Sequence, residues 1–332
     1  MAHFILKRGD TSEQIGSNRG LKVGVMLKKG DIMKRTLCVI LAWIFVLSCC
    51  TFVSADDYTV SDVVLAKRAL VEKHKDEYLE NYNMTKEAAV RKEQVVEYIC
   101  KMQAGLLDAV VATSSLESLG VYKLEMPTKE DAIPTRSTEP SDISMNDPMT
   151  YYDSVNNQWF ICGGGSWEND NAWIDDVPIN ILPHVGQQLN VGGYDGVGIK
   201  IYNTSGTYNT RVVESYAYYS DGDNDYYNYS PSIYDGRKGA YFQYQDKAVV
   251  AATVGLVSSY NYIGKYFSAM VIYDSNFVNF NGYARTCYTH TWSSAQIDSV
   301  SFGTDGDTYT FQLSISNARY SFGCYSSGET VF

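Results

Sequence analysis

Apolar residues recur with two different periods along this chain. Early on, Val60, Val63, Val64, Ala66, Ala69 and Leu70 lie near one face of a helix, behind Thr59-Val-Ser-Asp62, which can cap its start. Val95, Val96, Ile99, Cys100, Gln103, Leu106, Leu107, Val110 and Val111 follow the i, i+3, i+4, i+7 rhythm of a second helix, with Thr85 as its expected cap. A highly charged stretch, Glu72 to Glu87, separates them. From Tyr151 the period becomes two. Short β-prone runs are expected at 158–162, 198–202, 211–219, 240–245, 248–258, 267–273, 296–302, 308–315 and 320–325. Turn clusters such as Asp221-Gly-Asp-Asn-Asp225, Asn281-Gly282 and Asp305-Gly306 punctuate them. Tyr194-Asp195-Gly196, Tyr234-Asp235-Gly236 and Tyr273-Asp274-Ser275 read as recurring turn chemistry.

This pattern predicts an N-terminal α-helical segment, 56–125, followed by an all-β domain, 151–332, built as an antiparallel β-sandwich or barrel-like unit. Residues 126–150 carry four of the seven prolines among Ser, Thr and acids, and read as a linker. The β domain is expected to fold alone.

The start of the chain follows a different logic. Met33-Lys-Arg35, the apolar run Leu37–Leu47 and Val53-Ser-Ala55 have the layout of a secretory signal, 33–55, too short to span a bilayer. Lys28-Lys-Gly-Asp-Ile-Met33 can be encoded by a purine-rich ribosome-binding stretch, so residues 1–32 are expected to be a mis-assigned leader. The expected localisation is secreted, with no membrane association after signal cleavage. The whole chain carries −11; without residues 1–55 it has 19 basic against 35 acidic residues, or −16. Such a surface repels phosphate backbones, which argues against nucleic acid as a partner.

Asp62-Val-Val-Leu-Ala-Lys-Arg-Ala-Leu70 and, 32 residues on, Gln94-Val-Val-Glu-Tyr-Ile-Cys-Lys-Met102 resemble the helices of a dockerin repeat pair over about 50 residues. The resemblance implies docking through the helices and calcium loops. The calcium ligands are missing, since Asn83, Thr85, Glu87 and Ala88 stand at the loop positions.

Four stretches could carry chemistry. Trp167-Glu168-Asn-Asp170-Asn-Ala-Trp173 places indoles that can stack on sugar rings beside carboxylates that accept from hydroxyls; the bland alternative is a loop plugging the β core. Asp221, Asp223 and Asp225 alternate as in hard-cation loops and are the candidate site for Ca2+, the one cofactor considered, or a plain turn. Gln158-x-x-x-Cys162-Gly-Gly164 resembles the nucleophile segment of papain-like enzymes, which makes Cys162 a candidate nucleophile, although His184 and His290 do not follow that family's spacing. Cys287 and Cys324 flank expected strands and are the expected disulfide, with Cys100 a buried thiol. In addition, 23 of the 28 tyrosines follow residue 150, as recognition surfaces favour. The leading expectation is a non-enzymatic extracellular binding or surface-associated module, with a glycan or protein partner at the cell surface. The alternatives are a secreted hydrolase using Cys162 or Glu168 and Asp170, and a docking component acting through its helices.

Overall fold

Alternation along one strand sets the layering. In β3 (Gln158–Trp167), Trp159, Ile161 and Trp167 enter one core, whereas Phe160 and Cys162 enter another. A strand buried on both faces lies inside a stack, and β3 is central in a six-stranded antiparallel sheet. That sheet, A, has the order β1-β2-β3-β10-β5-β6, from β1 (Val121–Lys123), β2 (Ile143–Asp153), β10 (Tyr266–Tyr273), β5 (Val212–Ser220) and β6 (Asp225–Asn228). Sheet B has the order β14-β11-β4-β8-β7, from β14 (Ser321–Tyr325), β11 (Tyr283–Thr291), β4 (Gln188–Tyr202), β8 (Gly239–Val254) and β7 (Ile233–Asp235). Onto it are paired β9 (Val257–Ile263) and β15 (Thr330–Val331), while β12 (Gln296–Phe302) and β13 (Phe311–Ser316) form a separate hairpin. This computed structural model describes residues 62–76, 85–125, 142–168, 184–203, 207–254, 257–292, 296–302, 311–316, 321–326 and 330–331. The leader and signal segments lie outside them.

The expected helical segment and antiparallel β-sandwich are both present. Helices α1 (Asp62–Lys73), α2 (Thr85–Gln103) and α3 (Ala109–Ser118) precede the strands. Among the described residues, none is long and apolar enough to cross a membrane. The layers run helices, sheet A, sheet B, then the β12–β13 hairpin, whose Ile297 packs with Tyr241 and Cys287 on the outer face of sheet B.

Helices and strands share a core, and Val60–Phe332 form one compact unit. Val95, Val96, Ile99 and Cys100 of α2 bury against Phe160, Met270 and Ile272 of sheet A. Arg91 fixes the other end: its guanidinium forks onto Asp153 at 2.7 and 3.2 Å and donates to the Leu119 carbonyl at 2.7 Å. Asp153 is buried, and such a bidentate pair is directional as well as attractive. Helix α1 docks through Lys67, which is fully buried. Its ammonium donates to the Phe277 carbonyl at 3.0 Å and to the Phe280 carbonyl, 4.5 Å from the Phe277 ring centre.

Three local expectations change. The second helix does not run to Val111: it ends at Gln103, Gly105 follows at φ +80°, and Asp108 caps α3 by accepting from the Val110 and Val111 amides. Val110 and Val111 are consequently exposed. Residues 143–150 of the expected linker are strand, because Ile143–Asp153 is β2, and 126–141 lie outside the described residues; a register shift between Asn146 and Met149 accommodates Pro148, which has no amide hydrogen to donate. Finally, Tyr194-Asp195-Gly196 is not a turn but the middle of β4.

Candidate functional site

A groove of about 960 Å³ lies on the surface between α2 and the β5–β6–β7 rim. Its α2 side carries Lys92, Glu93 and Glu97, and its β side Glu214, Tyr216, Tyr227, Tyr229 and Tyr234. Alternation along β5 places Tyr216 against the helices beside Glu214. Tyr229 and Tyr234 are 63% and 52% exposed, so large ring faces stand free in the groove. The rings are mutually braced. Tyr216 meets Tyr229 edge to face at 5.4 Å, Tyr227 stacks near Tyr229 at 6.4 Å, and the Tyr234 hydroxyl donates to the Val212 carbonyl at 3.0 Å. Glu214 pairs with Lys92 and accepts from the Tyr216 hydroxyl, while Lys101 binds Glu97 at 2.9 Å and Asp225 at 2.7 Å. The result is an amphipathic, net-acidic trough with pre-oriented acceptors.

A second constellation lies inside the sandwich. Asp195 of β4, Asp246 of β8 and His290 of β11 share the inner face of sheet B with Val197, Tyr244 and Tyr288, and all three are buried. His290 Nδ1 lies 2.7 Å from Asp195 Oδ2 and 3.8 Å from Asp246 Oδ2. Asp195 also accepts from the Tyr288 hydroxyl at 2.6 Å and from the Thr291 amide at 2.9 Å. The Tyr288 hydroxyl in turn accepts from the Trp167 indole at 3.1 Å, and Trp167 stands edge-on to the His290 ring. Burial, and secondarily the Asp195 carboxylate, push the Tyr288 hydroxyl well above its ordinary value; Tyr244 is raised by burial, then by Asp195 and Asp246. The β4–β8 register shifts between Asn190 and Tyr194, just before Asp195. Such bulges re-aim side chains.

The residues singled out from sequence are scattered. Trp167 is 3% exposed and committed to Tyr288, so its indole is unavailable to stack on a ligand; it belongs to the core. Glu168 is exposed, its amide donating to the Asp142 carbonyl at 2.8 Å; Asp170 and Trp173 lie outside the described residues. The three aspartates of 221–225 do not converge. Asp221 closes its own turn by accepting from the Asp223 and Asn224 amides at 2.9 and 2.6 Å. Asp225 instead faces Tyr218 at 2.6 Å and Lys101. Among the described residues, only Asp195, Asp246 and His290 bring three metal-ligating side chains together, all within 4.8 Å.

The cysteines also differ from expectation. Cys287 and Cys324 are buried and form no disulfide with each other. Antiparallel pairing sets Cys287 opposite Tyr325 and Cys324 opposite Tyr288, and that one-residue offset turns the thiols to opposite faces. Cys287 packs with Ile297 outside the sheet, Cys324 within the sandwich. Cys162 is fully buried in the helix-facing core, where burial pushes its thiol well above the ordinary value. A nucleophile needs an accessible thiolate, so the papain-like reading of Cys162 fails. His290 is in the other core and engaged by Asp195.

The chain matches no known protein family and no curated protein. The tyrosine clusters were a usable sequence signal for the groove. The buried triad gave none, because Asp195 sits in a Tyr-Asp-Gly tripeptide that imitates a turn.

Proposed function

We propose that this protein is a non-enzymatic extracellular binding module whose ligand, a glycan segment, lies in the groove between α2 and the β5–β6–β7 rim. The observation that carries the reading is the joint presence of the exposed Tyr229 and Tyr234 rings and the fixed Glu214 carboxylate in one trough of about 960 Å³. Flat aromatic faces suit the apolar faces of sugar rings, and acceptors held by neighbouring donors suit hydroxyls. Binding rather than turnover is favoured because Glu214 and Glu97 are committed to Lys92 and Lys101. The secretory layout of residues 33–55 supports an extracellular setting. The hydrolase alternative keeps no nucleophile at Cys162.

The test is a glycan array probed with the full chain, followed by calorimetry on the best hit with wild-type protein and Tyr229→Ala. Retention of a glycan that Tyr229→Ala loses is the expected result. An array without retained glycans, or a hit indifferent to Tyr229, would overturn the reading.

A further inference from the structure

The triad inside the sandwich is built differently from the rest of the core. Asp195, Asp246 and His290 arrive from three strands, none is more than 3% exposed, and their donor atoms all lie within 4.8 Å. Two carboxylates and an imidazole nitrogen, buried together, are donor types that a divalent transition-metal ion takes.

The spacing supports the same conclusion. Bonds of about 2.1 Å to nitrogen and oxygen put tetrahedral ligands about 3.4 Å apart. The separations from His290 Nδ1 to the two carboxylates, 2.7 and 3.8 Å, bracket that value. Asp195 is oriented from outside the triad by the Tyr288 hydroxyl and the Thr291 amide, and Tyr288 by Trp167. Outer donors of this kind are what hold ligating carboxylates in place. A mixed oxygen and nitrogen set with three protein donors suits zinc better than calcium, which takes six to eight oxygens.

We infer that Asp195, Asp246 and His290 form a structural site for a divalent ion of the zinc class, tying β4, β8 and β11 together between the sheets. Binding sends the Nδ1 proton of a protonated ring to solvent, or moves that of a neutral ring to Nε2, and the two carboxylates and the bare Nδ1 donate to the metal. The inference is independent of the surface groove.

Tag-free protein would be unfolded in urea with EDTA, refolded without metal, and dialysed against ZnCl₂. Elemental analysis should find about one zinc per chain, and the melting temperature should rise by about 5–10 °C at ~100-fold excess over Kd. Asp246→Asn and His290→Gln should each weaken zinc binding at least about 10-fold. Wild-type protein that takes up no zinc and does not shift in melting would overturn the site. So would an Asp246→Asn variant that binds as wild type, since the ion would then sit elsewhere. Should the variants fail to fold, Co²⁺-loaded wild-type protein decides: ligand-field bands of a four- or five-coordinate ion support the site, and the spectrum of aqueous Co²⁺ overturns it.

Discussion

The two faces of sheet A are packed by different means. Towards the helices, it offers Phe160, Cys162, Met270 and Ile272 to Val95, Ile99, Cys100 and Met102. That interface is largely aliphatic and sulfur-rich, and such side chains adapt to their neighbours. Towards sheet B, the same strands present Trp159, Trp167, Phe267 and Tyr273, and the facing layer adds Asp195, Tyr288 and His290. Here the contacts are directional: a stacked Phe267–Tyr288 pair at 3.7 Å and a chain from Trp167 through Tyr288 to Asp195. The helix face should therefore tolerate reshaping, and the sandwich face should not. Buried polar networks behave as units, so a partial loss strands the remaining members.

The largest expected effects test this asymmetry directly. Trp159→Ala empties a fully buried site in the sandwich and should cost about 3–5 kcal/mol. Met270→Leu, on the opposite face of the neighbouring strand, should cost less than about 1.5 kcal/mol. Urea unfolding followed by far-UV circular dichroism measures both. Ile99→Ala adds a cooperativity test: because α2 shares the core of sheet A, it should lower the stability of one common transition by about 2–5 kcal/mol. Separate transitions for helix and sheet would show the helical layer to be an accessory.

Lys67 gives the next effect, and it depends on pH. Burial lowers its ammonium from 10.5 to about 7, while the Phe277 and Phe280 carbonyls and the ring beneath support the charged form. Between these values the unfolded chain keeps a proton that the folded protein has released. Stability therefore rises with pH across that window, and the penalty is fully present below about 7. From pH 7 to 9.5 the gain should reach up to about 3 kcal/mol relative to Lys67→Met, which lacks the group. The variant also cancels the buried thiols, whose raised values act in the opposite direction at the alkaline end. Parallel pH profiles for the two proteins would refute the argument.

A smaller effect probes a close approach of the two sheets. A Cβ on Gly163 would lie 1.8 Å from the Thr286 hydroxyl oxygen and 3.1 Å from its Cβ, so the glycine is set by the approach of β3 to β11. Gly163→Ala should cost about 1–3 kcal/mol, and adding Thr286→Ala should recover part of it, with coupling read from the double-mutant cycle. Simple additivity would place the strain elsewhere.

These same contrasts decide what was readable in advance. Strands buried by apolar residues were legible: 267–273 and 296–302 match β10 and β12 to within a residue. Strand β11 was missed because its inward residues include Thr286 and His290, which break the apolar alternation while being fully buried. Strand β2 was hidden by Asn146-Asp-Pro148, a turn signal that the fold absorbs as a bulge. Asp235 closes a turn, accepting from the Arg237 and Lys238 amides, whereas Asp274 in the same pattern accepts from the distant Arg211 amide and Asp195 faces the core. Only partner strands distant in sequence distinguish these roles. The helix stop at Gly105 was visible as a residue but outweighed by the apolar rhythm running through it.

The smallest expected change in stability is also the sharpest functional test. Tyr229 is 63% exposed, and its ring touches Tyr216 and Tyr227 at the groove wall rather than filling a core. Surface truncations of this kind usually shift stability by no more than about 0.5 kcal/mol. Tyr229→Ala should therefore melt with the wild type while losing retained glycan, whereas Trp159→Ala should lose both together through unfolding. Tyr229→Phe separates the ring face from the hydroxyl: stacking predicts that Phe retains binding, and hydrogen bonding predicts that it does not. A large drop in melting temperature for Tyr229→Ala would mean that the tyrosine wall is part of the structure of the helix–sheet seam, and the groove would lose its standing as a preformed site.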